Sequence, residues 1–453
     1  MEFLKKQIQL SGESSLFLLS NTIVLIPYIL FIQLSDGVNV ATILPFVLFY
    51  TFRMTGIFLI RGIRNTIDSL KLLRFSLLLG GAGSFLGMIA AVYSPLYIIS
   101  GILLGLSGAW LPMTNTSVKM YEKEFGKKKK TSVSAIFILT ALLLCAMVIG
   151  GQNKGVLIFF VYLVYYLFAG LSLKGHATYL ATTESEDTFS KKDLGLFLLF
   201  FCLLLFLRSG RLLTNATEFD YSILGVSLFF LLFVLGINSY WKKRTWKVSS
   251  SLNFVTLING IVGNYLFLFG SLYITGVHGR ESLATYLYAP YALGMIFAMA
   301  LSGRLIKHFG EKTLQLLLLG LLGGLLVMMV SQLVIAGIFL LSFFKSVLNS
   351  WLTKSYYSQK QISQDKRLWI KYSTQNKGSI AHQFFLMTLL FSIVHFEGNS
   401  TQALLAMTST QTPTEIGVQV MSVANYISTG MIAAGIILYF VLFKKRSTKG
   451  LPK

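Results

Sequence analysis

The sequence predicts an all-α polytopic membrane protein with fourteen transmembrane helices and both termini on the cytoplasmic side. Three observations lead there. Of the 453 residues, 54% are hydrophobic and only 12% are charged. Apolar runs of about 18 or more residues recur along the whole chain, enough for helices to cross a hydrocarbon core. The basic residues are divided unevenly among the segments between those runs, which orients every helix.

The first span, 15–32, follows Lys5 and Lys6 and has no small-residue cleavage pattern behind it, so it reads as a retained helix and not a removed signal peptide. Five more spans follow at 40–60, 75–93, 95–114, 133–151 and 155–173. A pair comes next at 194–213 and 221–240, then a last set at 252–275, 283–303, 314–331, 333–353, 379–396 and 420–443. At about 1.5 Å of rise per residue each is long enough for a core of about 30 Å. Short Ser-Pro and Ser-Gln turns divide the apolar stretches 75–114 and 314–353 into two helices each.

With the N-terminus inside, cytoplasmic segments hold 33 of the 39 basic residues, among them Arg61, Arg64, Lys71, Arg74, the run Lys127 to Lys130, and Lys444, Lys445 and Arg446. The external loops and outer span ends hold four: Lys154, Arg208, Arg211 and Arg280. One misplaced helix would invert every later loop, so the agreement through the last loop supports an even number of spans.

The formal charge of +22 raises the question of nucleic acid. The basic residues lie between apolar runs and form no solvated basic domain, so that partner is excluded. Cys145 and Cys202 sit in separate apolar runs and offer neither a disulfide framework nor metal-ligand spacing; both are expected as small hydrophobes in packed helices. The longest polar stretches, 174–193, 354–378 and 397–419, are too short for a folded soluble domain, and no phosphate loop or catalytic triad stands out. No cofactor, no metal and no enzymatic activity are expected. The linker "HATYLATTESEDTFSKKD" divides the chain into a six-helix bundle over 1–173, a linker with two extra helices over 174–251, and a six-helix bundle with a basic tail over 252–453.

That six-two-six division resembles the fourteen-helix drug:proton antiporter branch of the major facilitator superfamily. The stretch Ser271 to Gly310, "SLYITGVHGRESLATYLYAPYALGMIFAMALSGRLIKHFG", is similar to the family's ninth helix, external turn and tenth helix. It ends in the family's glycine-rich cytoplasmic motif, here Gly303, Arg304, Leu305, Lys307 and Gly310, with Lys307 where the family carries a gating acid. Small residues let helices approach in a membrane, and basic residues hold the loop at the cytoplasmic face. "LSNTIVLIPYI" resembles the first helix, with Ser20 where an Asp is usual; "SGILLGLSGAWLP" resembles the fourth, with Gly101 where the proton-linked arginine falls. The loop "RGIRNTIDSLKLLR" is a worn copy of the glycine motif, with Thr66 at its acid position, and the Gly-Pro pair of the fifth helix is missing from "TALLLCAMVIGG".

No Asp or Glu falls near the middle of an expected span, which argues against coupling through a central carboxylate. Two cations do lie inside spans, Arg53 and Lys345. A charge at mid-bilayer costs about 2.5 to 3.5 kcal/mol on insertion scales, so each either faces a water-filled cavity, where it attracts an anionic group, or snorkels to the cytoplasmic interface. Asn349 lies one turn beyond Lys345. Asn21, Thr22, Asn259 and Asn264 either line a pathway or bond between helices, and Tyr286, Tyr288 and Tyr291 around Pro290 form either an aromatic wall or an interfacial belt. Glycines at 80, 81, 83 and 87 and at 320, 323 and 324 recur at helix-contact spacing.

The resemblance implies a monomeric secondary transporter of the bacterial inner (plasma) membrane, of the multidrug efflux antiporter kind. It would export hydrophobic or amphipathic small molecules by alternating access, with an unspecified coupling ion, surrounding lipid and no nucleic acid as partners. The cations favour cargo with a negative group. A lipid-linked glycan flippase and a polytopic enzyme such as a glycan polymerase are the alternatives. The first would lack the glycine-rich loop after helix ten. The second would need catalytic side chains on a large external loop, and "EGNSTQALLAMTSTQTPTEIGVQVMS" has neither His nor Arg.

Overall fold

A computed structural model of the chain describes residues 2–34, 40–63, 68–124, 132–149, 153–173, 191–209, 248–362, 364–397 and 414–443. These residues are helical throughout, apart from turns and short connections. The helices are α1 (Glu2–Thr22), α2 (Ile26–Leu34), α3 (Val40–Ile63), α4 (Ser69–Ile89), α5 (Leu96–Glu124), α6 (Val133–Ile149), α7 (Lys154–Ser172) and α8 (Lys191–Ser209), then α9 (Ser250–His278), α10 (Ala289–Phe309), α11 (Thr313–Met328), α12 (Val334–Tyr357), α13 (Gln364–Phe396) and α14 (Glu415–Phe443).

Local chemistry explains where the helices start, stop and break. The expected first span is a bent pair: α1 and α2 meet at 55° across residues 23–25. Pro27 has no N–H for the carbonyl of Ile23, four residues back, and its ring crowds that carbonyl, so the helix breaks there and restarts. Asp68 caps α4 by accepting the backbone N–H of Lys71 at 2.6 Å, and Ser249 caps α9 through Leu252 at 3.3 Å. α9 widens into a π-turn at Tyr265–Phe269. A second π-turn, Ala284–Tyr288, leads into α10, whose Pro290 cannot continue an ordinary ladder backwards.

Nine helical segments among the described residues are long and apolar enough to cross a membrane, or ten if the bent pair is one span. One of them, Ala284–Met328, is 45 residues long. Straight, it would exceed about 65 Å. Gly310, at φ 47°, instead ends α10 and turns the chain into α11, and both helices pack on α12, so two expected spans lie within that segment. The described parts of α6 and α8 hold shorter apolar helices, Ser134–Leu143 and Asp193–Leu205. The span expected at 221–240 lies outside the described residues. Large apolar side chains such as Leu78, Phe137, Ile138, Leu326 and Ile437 point outward, as a multi-pass membrane protein requires and a soluble one avoids.

The chain forms two compact units: Met1–Leu212 with Ser363–Trp369, and Leu213–Ile362 with Ile370–Lys453. Five helices of each pack in the same order. In the first unit α4 lies against α5, α3 against α5, the opening helix α1 against α7, and α4 against α7. In the second, α11 lies against α12, α10 against α12, the opening helix α9 against α14, and α11 against α14. In both, the third and fourth helices pair, the second joins the fourth, and the sixth covers the first and third. The opening helix is broken in the first unit, whereas in the second it runs on through its π-turn. α8, expected as half of an extra pair, packs on α3, where Arg61 meets Asp193 at 3.5 Å and Phe52 and Phe58 meet Phe201 and Phe200.

Glycines carry the close crossings. A Cβ at Gly80 would enter the Tyr166 ring, at Gly83 it would meet Leu103 and Leu104, and at Gly87 the Phe159 ring. Gly320 faces Phe344 and Gly324 faces Leu341 in the same way. Gly81 is only in ordinary contact with Tyr166, and Gly323 faces open space. Several expectations need correcting. Cys145 and Cys202 are exposed on helix surfaces, not packed between helices. The polar stretch 354–378 is not a loop: α12 runs to Tyr357 and α13 begins at Gln364, because a helix with one polar stripe stays stable when that stripe is buried against other helices. Glu13 in α1 and Glu122 in α5 are buried, but both lie beyond the apolar runs 15–32 and 95–114, in the helix extensions.

Candidate functional site

The second unit contains a polar cluster built from one stripe on each of three helices. On α12 the stripe is Lys345, Asn349 and Thr353, at four-residue spacing and therefore on one face. On α13 it is Lys371, Gln375, Gly378 and His382, at spacings of four, three and four. On α9 it is Asn253, Thr256, Asn259 and Gly263. α9 and α13 cross with almost no gap: a Cβ at Gly260 would strike the carbonyl of Gln375, one at Gly378 would strike the carbonyl of Leu257, and Ser379 donates to the Gly260 carbonyl at 2.8 Å. Glycine at both positions is what lets the stripes meet.

Lys371 is the centre of the cluster. It is 0% exposed. Its ammonium donates to Asn349 Oδ1 at 2.6 Å and Thr353 Oγ1 at 2.8 Å, and lies 4.6 Å from the centre of the Tyr372 ring. All of these are neutral groups. Lys345 lies one turn before Asn349 on the same face of α12. Among the described residues no carboxylate pairs with either lysine. A buried ammonium loses several kcal/mol of hydration, which hydrogen bonds to neutral oxygens recover only in part.

Around this centre the hydrogen bonding is incomplete. Asn259, 0% exposed, reaches Asn349 Oδ1 only at 3.5 Å, and its own Oδ1 meets no partner. The buried Oε1 of Gln375 also lacks one. His382, 1% exposed, sits 3.0 Å from the Asn264 amide nitrogen through Nδ1. The amide donates, so Nδ1 accepts and the ring proton is on Nε2, which meets no acceptor. Where the cluster ends, satisfaction is nearly complete. Tyr265 in the π-turn donates to Asn425 Oδ1 at 2.7 Å and lies 2.8 Å from Thr429 Oγ1, and Tyr356 donates to Asn253 Oδ1 at 2.8 Å.

Of the residues singled out from sequence, Asn259, Lys345 and Asn349 are brought together here, and Asn264 joins through His382. Lys345 lies against α9, its Nζ 3.5 Å from where a Cβ on Gly263 would be. Tyr291 and Tyr288 flank Phe267 of the π-turn at 6.2 and 6.5 Å, whereas Tyr286 turns away to the His278 ring at 4.6 Å. Asn21, Thr22 and Arg53 belong to the first unit and meet separate neighbours. Asn21 is exposed and bonds the Phe17 carbonyl of its own helix, Thr22 accepts the Tyr162 hydroxyl at 2.8 Å, and Arg53 lies 5.7 Å from the Tyr50 ring centre, alongside Gly108. Ser20 accepts from Asn115 at 2.6 Å, which ties α1 to α5. Gly101 packs directly on the Pro45 carbonyl and leaves no room for an arginine.

In the glycine motif, Arg304 and Lys307 are exposed and Leu305 is half-buried. The close approach expected at Gly303 is not found: a Cβ there would meet nothing within 4 Å. Gly310 supplies the positive φ of the turn, which Thr313 fastens by donating to the Gly310 carbonyl at 2.7 Å. Sequence reasoning missed Lys371, Gln375 and His382. Their signal was the single-face spacing within "IKYSTQNKGSIAHQFF", hidden because the polar stripe lowers the hydropathy of the segment.

No family model matches the sequence, and no curated protein does. Solved structures do. The chain is similar to the nucleoside transporter NupG, at 12% identity over 97% of this chain and 99% of that one, TM-score 0.47. It is similar to the E. coli fucose:proton symporter FucP, at 12% identity over 93% and 97%, TM-score 0.49. It is also similar to the peptide transporter POT, at 14% identity over 95% of each chain, TM-score 0.46.

Proposed function

We propose that this protein is a secondary transporter of the major facilitator kind, fourteen spans with both ends cytoplasmic, which moves a hydrophobic or amphipathic small molecule across a bacterial plasma membrane by alternating access. The observation that carries this reading is the internal repeat: the two units pack five of their helices in one order, and the opening helix is broken in the first and carries a π-turn in the second. Transporters of this design are built from repeats and use discontinuous helices to expose polar groups at membrane depth. The α9 π-turn borders the Lys371 cluster, so the irregular backbone and the incompletely paired polar groups coincide.

Export is the direction the sequence resemblance favours, with Gly303, Arg304, Leu305, Lys307 and Gly310 as the cytoplasmic gate. A flippase for lipid-linked glycans is the second reading, and the buried lysines favour it, because such a lipid carries phosphate. The test is reconstitution into liposomes under imposed pH and sodium gradients, scored against charged and neutral amphipathic compounds. Saturable, protein-dependent movement of at least one compound is expected. If nothing on the panel moves under any gradient, the transporter reading fails.

A further inference from the structure

We infer that the α9–α12–α13 cluster is an oxyanion subsite in which Lys371 and Lys345 together take the carboxylate or phosphate group of the cargo. This rests on the transporter reading and specifies what the site binds.

The argument is one of charge and valence. Lys371 donates to Asn349, and Lys345 lies one turn before Asn349 on the same face of α12, so both lysines serve one cluster; among the described residues neither has a carboxylate. A structural buried lysine normally acquires a counter-charge, because burial without one is costly. Here the ammonium of Lys371 instead rests on the Oδ1 of Asn349 and the Oγ1 of Thr353, two neutral oxygens that an anion would outcompete. Lys345 makes no hydrogen bond among the described residues, so all three of its donors are available.

The surroundings fit an oxyanion better than a cation or a sugar. When an anion takes the Lys371 ammonium, Asn349 Oδ1 is released and can accept fully from the Asn259 amide, now held only at 3.5 Å. The face of Tyr372 supplies an apolar wall on α13. The acceptor left over on α13, Gln375 Oε1, belongs to an amide that reverses by a flip to present N–H groups. No carboxylate of the cluster would repel the ligand.

The oxyanion has two sources, a free organic anion or a lipid phosphate, and the experiment separates them. Full-length protein purified in nonionic detergent is titrated in equilibrium dialysis with four probes: 2-naphthoate, its neutral isostere 2-naphthamide, inorganic phosphate, and short-chain phosphatidic acid. Saturable binding of at least one anion is expected, with 2-naphthamide bound at least about tenfold more weakly than 2-naphthoate if the carboxylate is what is read. Lys345→Ala, a half-buried position whose loss leaves no cavity in the core, is expected to weaken the winning anion about tenfold. Asn349→Asp puts a carboxylate beside Lys371 and is expected to abolish anion binding while raising the unfolding temperature. Preference for phosphatidic acid assigns the lipid source, and preference for 2-naphthoate or phosphate assigns the free one.

Three results overturn the inference: no saturable binding of any anion, equal binding of naphthoate and naphthamide with no phosphate bound, or anion affinity unchanged in both variants. If liposomes still move neutral compounds while any of these holds, the oxyanion subsite is wrong and the transporter reading stands. If they move nothing, the transporter reading itself is wrong.

Discussion

The two units share an order of packing but bury opposite charges. Among the described residues the buried carboxylates, Glu13, Asp68, Glu122 and Asp193, all belong to the first unit, and the buried bases, Lys371 and His382, to the second. Two of the acids hold the fold together at helix ends: Asp68 caps α4 and pairs with Lys71, and Asp193 pairs with Arg61 across α3 and α8. Among the described residues Lys371 has no such ionic partner, and it rests on neutral oxygens. The framework is shared, and the charged groups it buries are not.

If the framework is common to both units, breaking it should cost the same in each. Gly101 packs on the Pro45 carbonyl in the first unit, and Gly378 on the Leu257 carbonyl in the second. Neither neighbour can yield, because each is backbone. Gly101→Val and Gly378→Val are each expected to destabilise by about 3 kcal/mol or more. Both should show a loss of monodisperse protein in size-exclusion chromatography and a fall in unfolding temperature. A Gly101 variant that unfolds with the parent would mean that the two crossings do not support the fold alike.

The charges make a finer contrast, with effects of opposite sign. Asn349→Asp supplies the carboxylate that Lys371 lacks and should stabilise by about 1 to 2 kcal/mol, since Coulomb attraction is strong where water is excluded. Asp193→Asn removes the partner of Arg61, whose side chain is 12% exposed, and should destabilise by about 1 kcal/mol. The 3.5 Å separation is long for a charge-assisted hydrogen bond, which keeps that figure small. Thermal unfolding of the two variants in one detergent checks both signs. A stabilising Asp193→Asn would show that the first unit also holds an unspent charge.

Much of this was legible from the amino acids, and the failures have physical causes. Apolar runs located the helices because lipid demands length and apolar surface on every side, and the turns near Ser94 and Ser331 did separate helices as expected. The bend at 23–25 was written in Pro27, through the carbonyl it leaves unpaired four residues earlier. Asn349 and Asn259 stood out as polar residues in apolar runs and do meet, and Lys345 lies beside Gly263 one turn along each helix. Lys371 did not stand out, because a helix whose polar stripe is buried against other helices has the average polarity of a loop. Which glycine does what was also illegible, since composition records the absence of a Cβ and not what would have met it.

Gly303 and Gly310 sharpen that last point with the smallest effects. A Cβ at Gly303 meets nothing within 4 Å, and the residue lies inside α10, where alanine lowers backbone entropy in the unfolded chain. Gly303→Ala should therefore stabilise by about 0.5 to 1 kcal/mol. Gly310 also faces open space, but its φ of 47° with ψ of −119° lies outside what alanine tolerates. Gly310→Ala should destabilise by about 1 kcal/mol or somewhat more. If the motif acts as a gate by close approach in another conformation, Gly303→Ala would slow transport in liposomes while leaving unfolding at or above the parent temperature. Unchanged transport together with the small stabilisation would reduce the motif to a turn, with Gly310 its one indispensable residue.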